Sequence, residues 1–141
     1  MPKTRAQQIM AHKEHRDADQ VTAAIQDIAA EFEPYIIKQR RHFHKHPELS
    51  LQEVRTTSDI AGQLDAMNIP YEQPLETGLV ATLRGTAPDA YREDGTPRRR
   101  LLMRADIDAL PVTERTDDEF ASVNEGCMHA CGHDCHIAMM L

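Results

Sequence analysis

The sequence lacks any apolar run long enough to cross a membrane, and its first twenty residues lack the apolar core of a secretory signal. It also lacks an excess of basic residues, since 16 lysines and arginines face 23 aspartates and glutamates and give a net charge of −7. Such a chain presents no broad basic face to neutralise phosphates, so nucleic acid and anionic membranes are poor partners. These absences predict a cytoplasmic protein.

Cysteine is absent from most of the chain, and all three cysteines lie in the segment EGCMHACGHDCH at 125–136. An odd number of thiols, spaced four residues apart, is not typical of a secreted disulfide scaffold. The same segment holds three histidines, an aspartate and a glutamate. This composition favours metal or thiol chemistry in a reducing compartment.

Apolar periodicity predicts helices in the first half of the chain. The stripe over residues 21–32 is typical of an amphipathic helix. Pro34 either kinks this helix or begins a second one that ends at His46. The pattern SLQE at 50–53 predicts a capping box for a further helix that continues to about Asn68.

The second half of the chain changes to the pattern of strands. Residues 69–74, 77–85 and 98–105 predict three strands, and the apolar centre of the last one indicates burial in a sheet. The tail HIAMML at 136–141 predicts the start of an apolar helix. A length of 141 residues favours one domain of α/β class, preceded by a flexible extension over residues 1–18.

Two acidic residues follow the last predicted strand, in the segment ADIDALP at 105–111. Functional groups gather at the carboxyl ends of strands in open α/β sheets, where Asp106 and Asp108 would lie. Residues two apart in an extended segment share a face, so both carboxylates could point to one site. The alternative is that they are solvated loop acids.

Cys131 and His133 form the best metal-binding pair in the cysteine-rich segment. On a regular helix, residues two apart diverge by about 200°, whereas in a loop both side chains could converge on one ion. We therefore place them in a loop at the start of the last helix, with Gly132 allowing a tight path. Thiolate and imidazole suit zinc most directly, and manganese, cobalt and nickel stay open.

Other interpretations of the histidines and cysteines remain. Cys127, Cys131, Cys135 and one histidine could form a small structural zinc site, although four-residue spacings differ from common zinc modules. One cysteine could instead be a nucleophile with a histidine base. His42 and His46 share a helix face, but histidines in a last turn also interact favourably with the helix dipole.

Three ordered segments carry a family resemblance: RRHFHKHPELSLQE at 40–53, LLMRADIDALPVTE at 101–114 and GCMHACGHDCHIAMML at 126–141. Together they resemble the amidohydrolase branch of the aminoacylase and carboxypeptidase metallohydrolases, which includes hippurate hydrolases and auxin-conjugate hydrolases. The resemblance implies the N-terminal part of a zinc-peptidase-like catalytic domain over residues 19–141, with helices packed on a mixed β-sheet.

The resemblance also implies an activity, namely hydrolysis of the amide bond of N-acyl amino acids or small peptides by a metal-activated water. Two divalent metal ions are implied in the complete enzyme, with zinc or manganese favoured over cobalt or nickel. The full-length enzyme would be a homodimer or a higher oligomer.

Residue roles follow from the same resemblance, motif by motif. Cys131 and His133 resemble metal ligands, and Asp108 resembles the acid that orients a metal ligand. Cys127 and Cys135 depart from the family pattern, and their roles stay open. Four further residues match the pattern and are expected to support the site: Asp106, His129, Asp134 and His136.

The family's chains are longer than this one, and the glutamate that moves the proton is not recognisable here. Glu114 and Glu119 precede the cysteine-rich segment and do not match its expected position. We therefore expect a truncated chain with part of an active site, inactive alone. A small structural-zinc binding module and a non-catalytic relic of the enzyme are the alternatives.

Overall fold

The computed structural model describes residues 18–141, which contain three α-helices and one small sheet. Most of the predicted flexible extension, residues 1–17, lies outside this range. No helix in the described part is both long and apolar enough to cross a membrane. The helices are α1 (Ala18–Lys45), α2 (Val54–Ala66) and α3 (His133–Met140), and the strands are β1 (Tyr71–Glu72) and β2 (Val80–Ala81).

Helix α1 is one continuous helix of 28 residues with Pro34 inside it. Of the two predicted outcomes, the start of a second helix at Pro34 is therefore wrong, because one helix continues through this residue. The chain divides into two compact units, one that ends at Lys38 and one that runs from Gln39 to Leu141. In the first unit three large apolar side chains of the predicted stripe are exposed, those of Val21, Ile25 and Phe32, and Ile28 is half-buried.

Helix α2 begins differently from the predicted capping box. Glu53 is the N-cap residue and makes no side-chain capping bond. The carboxylate of Glu48 instead accepts hydrogen bonds from the amides of Arg55, at 3.2 Å, and Thr56, at 2.7 Å. The capping-box prediction for Ser50 is wrong because a turn between Leu49 and Gln52 separates Ser50 from the helix.

The sheet consists of β1 and β2, which pair antiparallel with Tyr71 opposite Ala81. Both lie inside predicted strand segments. The third predicted strand, at 98–105, is wrong in this structure, since it has no strand assignment and Leu101 and Leu102 are 85% and 90% exposed. A strand is buried only when neighbours cover it, and within residues 18–141 no strand pairs with this segment.

The extended segment that follows, residues 106–112, is held on both sides. The Ala109 amide donates to the Glu48 carbonyl at 2.8 Å. Leu110 and Met128 exchange two backbone hydrogen bonds, at 2.9 and 3.0 Å. This pairing places Asp106 and Asp108 beside the cysteine-rich segment. The most deeply buried apolar side chains around this part of the chain are those of Phe43, Ala109, Ile137 and Ala138.

Candidate metal centre

Helix α3 begins at a glycine turn. Gly132 is its N-cap residue, with a φ of 85°, a left-handed conformation that glycine adopts without steric cost. The amide of Cys135 donates to the Gly132 carbonyl at 3.0 Å and closes the first turn. The tight path expected at Gly132 is thus present, and it makes His133 the first residue of the helix.

His133 is fixed by Asp108. Its Nδ1 atom lies 2.9 Å from the Asp108 Oδ1 atom and 2.9 Å from the Asp108 backbone oxygen. Both oxygens are acceptors, so the proton of the neutral ring is on Nδ1 and the lone pair is on Nε2. A histidine held in this way by a carboxylate is the arrangement that proteins use to orient a metal-binding imidazole.

Asp106, His133 and His136 form a group of metal-binding side chains. Each offers one ligand atom, and these atoms all lie within 4.8 Å of one another. The rings of His133 and His136 are stacked, with centroids 5.4 Å apart and planes at 27°. Two imidazoles and a carboxylate are ligands that zinc, manganese, cobalt and nickel accept. The donor set therefore fits a divalent ion.

The cysteines lie outside this group. All three thiols are free, Cys131 being exposed and Cys127 buried. Burial raises the pKa of the Cys127 thiol, and the nearby Glu48 carboxylate raises it further. Within residues 18–141, no group of three or more metal-binding side chains contains a cysteine. The structure thus brings Asp106, Asp108, His133 and His136 together, and Cys131 precedes His133 on the same turn without being part of the group.

His129 and Asp134 are buried next to the metal-binding group. Neither ring nitrogen of His129 has a hydrogen-bond partner, and burial lowers its pKa although the Asp134 carboxylate opposes this shift. Asp134 is fully buried, and its Oδ2 atom accepts a hydrogen bond from Arg40 Nε at 2.8 Å and lies 2.8 Å from His44 Nδ1. These two predicted support residues are thus part of the buried interior.

Two residues of this interior, His44 and Glu114, are not among the site residues predicted from the sequence. His44 contacts Asp134 on one side, and its Nε2 atom lies 3.1 Å from the Glu114 Oε1 atom on the other. In the segment HFHKH, only His42 and His46 were considered as ligands. The difference between these histidines emerges only from the structure, in which His44 is buried beside Phe43 and His42 pairs with the partly exposed Asp59.

The chain resembles known hydrolases in sequence. Residues 102–141 match the model of peptidase family M20/M25/M40. An uncharacterized hydrolase of Staphylococcus aureus is 44% identical over 107 residues, which cover 76% of this chain and 25% of the relative. An uncharacterized hydrolase of Staphylococcus epidermidis is 42% identical over the same length. The chain thus spans about a quarter of the length of the curated relatives that it matches.

Two solved structures resemble this chain in fold. The YXEP protein of Bacillus subtilis, described as a dinuclear metal binding peptidase of the M20 family, is 42% identical with a TM-score of 0.66. The similarity covers 77% of this chain and 29% of that protein. A protein named as an aminohydrolase from methicillin-resistant Staphylococcus aureus is 39% identical with a TM-score of 0.68, over 81% of this chain and 28% of its own length.

These similarities agree with the three sequence motifs and with the predicted fold class. At these TM-scores and identities, the helices and the small sheet correspond to part of the fold of a metal-binding hydrolase. The resemblance predicted from the motifs is therefore confirmed: this chain is similar in sequence and in fold to part of the hydrolases of peptidase family M20/M25/M40.

Proposed function

We propose that this chain provides one side of the active site of a metal-dependent hydrolase that cleaves the amide bond of N-acyl amino acids or small peptides. The observation that carries the proposal is the contact between Asp108 and His133 beside Asp106 and His136. In this arrangement one imidazole is fixed by a carboxylate and two further ligands lie within reach of the same ion.

Each residue of the group has a defined task in this proposal. Asp108 occupies the Nδ1 side of His133 and leaves Nε2 as the atom that would bind an ion, and Asp106 and His136 would complete the donor set. Cys131 is the further ligand that the family resemblance implies, at the exposed side of the same turn. When bound, a divalent ion supplies the Lewis acidity that polarises a carbonyl and lowers the pKa of water.

Two ions, zinc or manganese before cobalt or nickel, are proposed for the complete enzyme. The description of the Bacillus subtilis relative as dinuclear supports this number. A cytoplasmic location, a small-molecule substrate and a homodimeric or higher assembly of the complete enzyme belong to the same proposal. We assign residues 19–141 to the catalytic domain of that enzyme.

We further propose that the 141 residues alone do not turn over substrate. The proton of the attacking water needs a free carboxylate base. Glu114 is not free, because Oε1 is within hydrogen-bond distance of His44 and Thr116 and Oε2 accepts from the Ser122 amide. The base and the remaining ligands would come from other parts of the complete enzyme.

Cobalt substitution tests the proposed ligands. We expect cobalt(II) added to the purified chain to give the ligand-field absorption of a protein-bound ion, and His136→Ala and Cys131→Ser each to change that spectrum. The matched control is His42→Ala, which removes a histidine that pairs with Asp59 at the surface. A chain without any bound-cobalt spectrum, or spectra identical in all variants, would contradict the proposed site.

A turnover assay tests the second part of the proposal. Hippurate and N-acetyl amino acids are incubated with the chain in the presence of zinc, manganese or cobalt. We expect no hydrolysis above the metal-only control. Hydrolysis that a chelator abolishes would support the metal-dependent reaction and would show that the chain already contains a complete site.

A further inference from the structure

A buried chain of three side chains connects α1, α3 and the loop after residue 112. His44 lies between two carboxylates, with Nδ1 2.8 Å from Asp134 Oδ2 and Nε2 3.1 Å from Glu114 Oε1. The side chains are 1% exposed for Asp134, 4% for His44 and 5% for Glu114. Burying a carboxylate is costly unless polar partners compensate, and His44 supplies one such partner to each of these two carboxylates.

Two further contacts close this chain off from water. Arg40 adds a guanidinium contact to Asp134, with Nε 2.8 Å from Oδ2. The Phe120 ring packs against the same residues, with its centroid 5.6 Å from that of His44 and 4.8 Å from the Arg40 guanidinium carbon. Asp134 is paired through Oδ2 alone, since its buried Oδ1 atom has no partner among the described residues, and the two directional contacts of Oδ2 fix the groups that they join.

We infer that His44 and Glu114 are positioning residues for the metal-binding turn, which they hold through Asp134. Hereafter the chain Asp134–His44–Glu114 is called the brace. The inference deepens the proposed function and rests on it, because it concerns the direction in which the proposed ligands project.

The geometry explains how the brace acts on the ligands. Asp134 is the second residue of α3, directly after His133 and two residues before His136. A helix whose first turn is tied by a buried side chain cannot rotate about its axis, so the directions of its neighbouring side chains are fixed as well. The Asp108 contact fixes the ring of His133, while the brace fixes the backbone from which that ring and the ring of His136 project.

The test compares two histidines of the same helix. His44→Gln breaks the brace, and His42→Gln breaks an equally short histidine–aspartate contact, 2.8 Å to Asp59, at the surface. Hydrogen exchange of the metal-free chain is measured for peptides covering 127–136 and, as a reference, 54–66. We expect His44→Gln to accelerate exchange at 127–136 by about tenfold, with 54–66 unchanged. His42→Gln leaves 127–136 unchanged.

A second measurement links the brace to the ion. We expect His44→Gln to weaken cobalt(II) binding by about tenfold or more and to alter the ligand-field spectrum of the bound ion, neither of which His42→Gln does. If His44→Gln does not fold, Glu114→Gln replaces it. This substitution keeps the shape of the side chain and an acceptor for the Ser122 amide, while removing the charge that faces His44.

The outcomes separate the inference from the proposed function. The brace is overturned if the His44→Gln and His42→Gln variants exchange equally fast at 127–136. It is also overturned if His44→Gln accelerates exchange equally at 127–136 and 54–66, because the brace would then contribute to overall stability alone. If His44→Gln accelerates exchange at 127–136 alone and the chain binds no cobalt, the brace is supported as the contact that fixes this turn and the metal site is refuted.

Discussion

Asp108 contacts the Nδ1 atom of His133 twice, with its carboxylate oxygen and its backbone oxygen both at 2.9 Å. Segment 106–112 is itself held by backbone bonds to Glu48 and Met128. The orientation of this imidazole is therefore set by a fixed backbone and not only by a mobile side chain. Loss of such a supporting contact typically weakens metal binding by about 10–100-fold.

Asp108→Ala should weaken divalent metal binding to the chain by about tenfold. This is the lower end of the range of about 10–100-fold for residues that orient a metal-binding histidine, because the backbone oxygen of residue 108 still accepts from His133. The measurement is a competition titration against a chromophoric chelator. Asp117→Ala, at an exposed position, is the control and should leave the affinity unchanged. Equal affinities of the two variants would show that Asp108 does not act on the ion.

The start of α2 provides a test of helix capping. Glu48→Ala removes the carboxylate that accepts from the Arg55 and Thr56 amides and from the Thr56 hydroxyl. We expect a loss of about 1–2 kcal/mol in the free energy of unfolding. Ser50→Ala, at the position of the apparent capping box, should change it by less than about 0.5 kcal/mol. Urea titration measures both, and the reverse order would restore Ser50 as the cap.

Glu114 should make the fold sensitive to acid. Burial alone would raise its pKa, but hydrogen bonds from the Ser122 amide, the Thr116 hydroxyl and His44 outweigh burial and hold the pKa below its ordinary value of 4.5. A carboxyl with a lowered folded-state pKa stabilises the fold fully above that ordinary value. The stabilisation is lost as the pH falls through the folded-state pKa.

Melting temperatures from pH 6 to pH 3 measure this effect. The difference between the wild-type chain and Glu114→Gln should be largest at pH 6 and shrink as the pH falls below about 4.5. Glu125→Gln, at an exposed position, should follow the wild-type curve. A difference between wild type and Glu114→Gln that stays constant across this range would exclude ionised Glu114 as its source.

The three thiols should differ in reactivity. Burial and the Glu48 carboxylate raise the pKa of Cys127, whereas Cys131 is exposed. Since the thiolate is the reactive form, we expect iodoacetamide to modify Cys131 at least about tenfold faster than Cys127 at pH 8. Mass spectrometry of the peptides follows the reaction, and in denaturant the rates should converge. Fast modification of Cys127 in the folded chain would contradict its burial.

Local patterns in the sequence were sufficient for the helices and for part of the site. Helical periodicity predicted α1, and glycine chemistry predicted the tight turn at Gly132. The two-residue period of an extended segment allowed Asp106 and Asp108 to point to one site, with solvated loop acids as the alternative, and in the structure both lie beside His133.

The features that were missed depend on contacts between distant positions. His44 and Asp134 are 90 residues apart, and no local pattern marks such a pair. The carboxylate that accepts from the first amides of α2 belongs to Glu48, which lies outside the motif SLQE from which Ser50 was predicted as the cap. The segment 98–105 has the composition of a buried strand, but burial also needs neighbouring strands, which residues 18–141 do not place beside it.

The most direct test of the metal site is zinc affinity with and without His133, the residue shared by the motif-based ligand pair and the structural group. Zinc competition titrations compare the wild-type chain, His133→Ala and His42→Ala. We predict that His133→Ala weakens zinc binding by about 100-fold or more and that His42→Ala changes it by less than about twofold. A wild-type chain that binds no zinc, or a His133→Ala variant with wild-type affinity, would contradict the site.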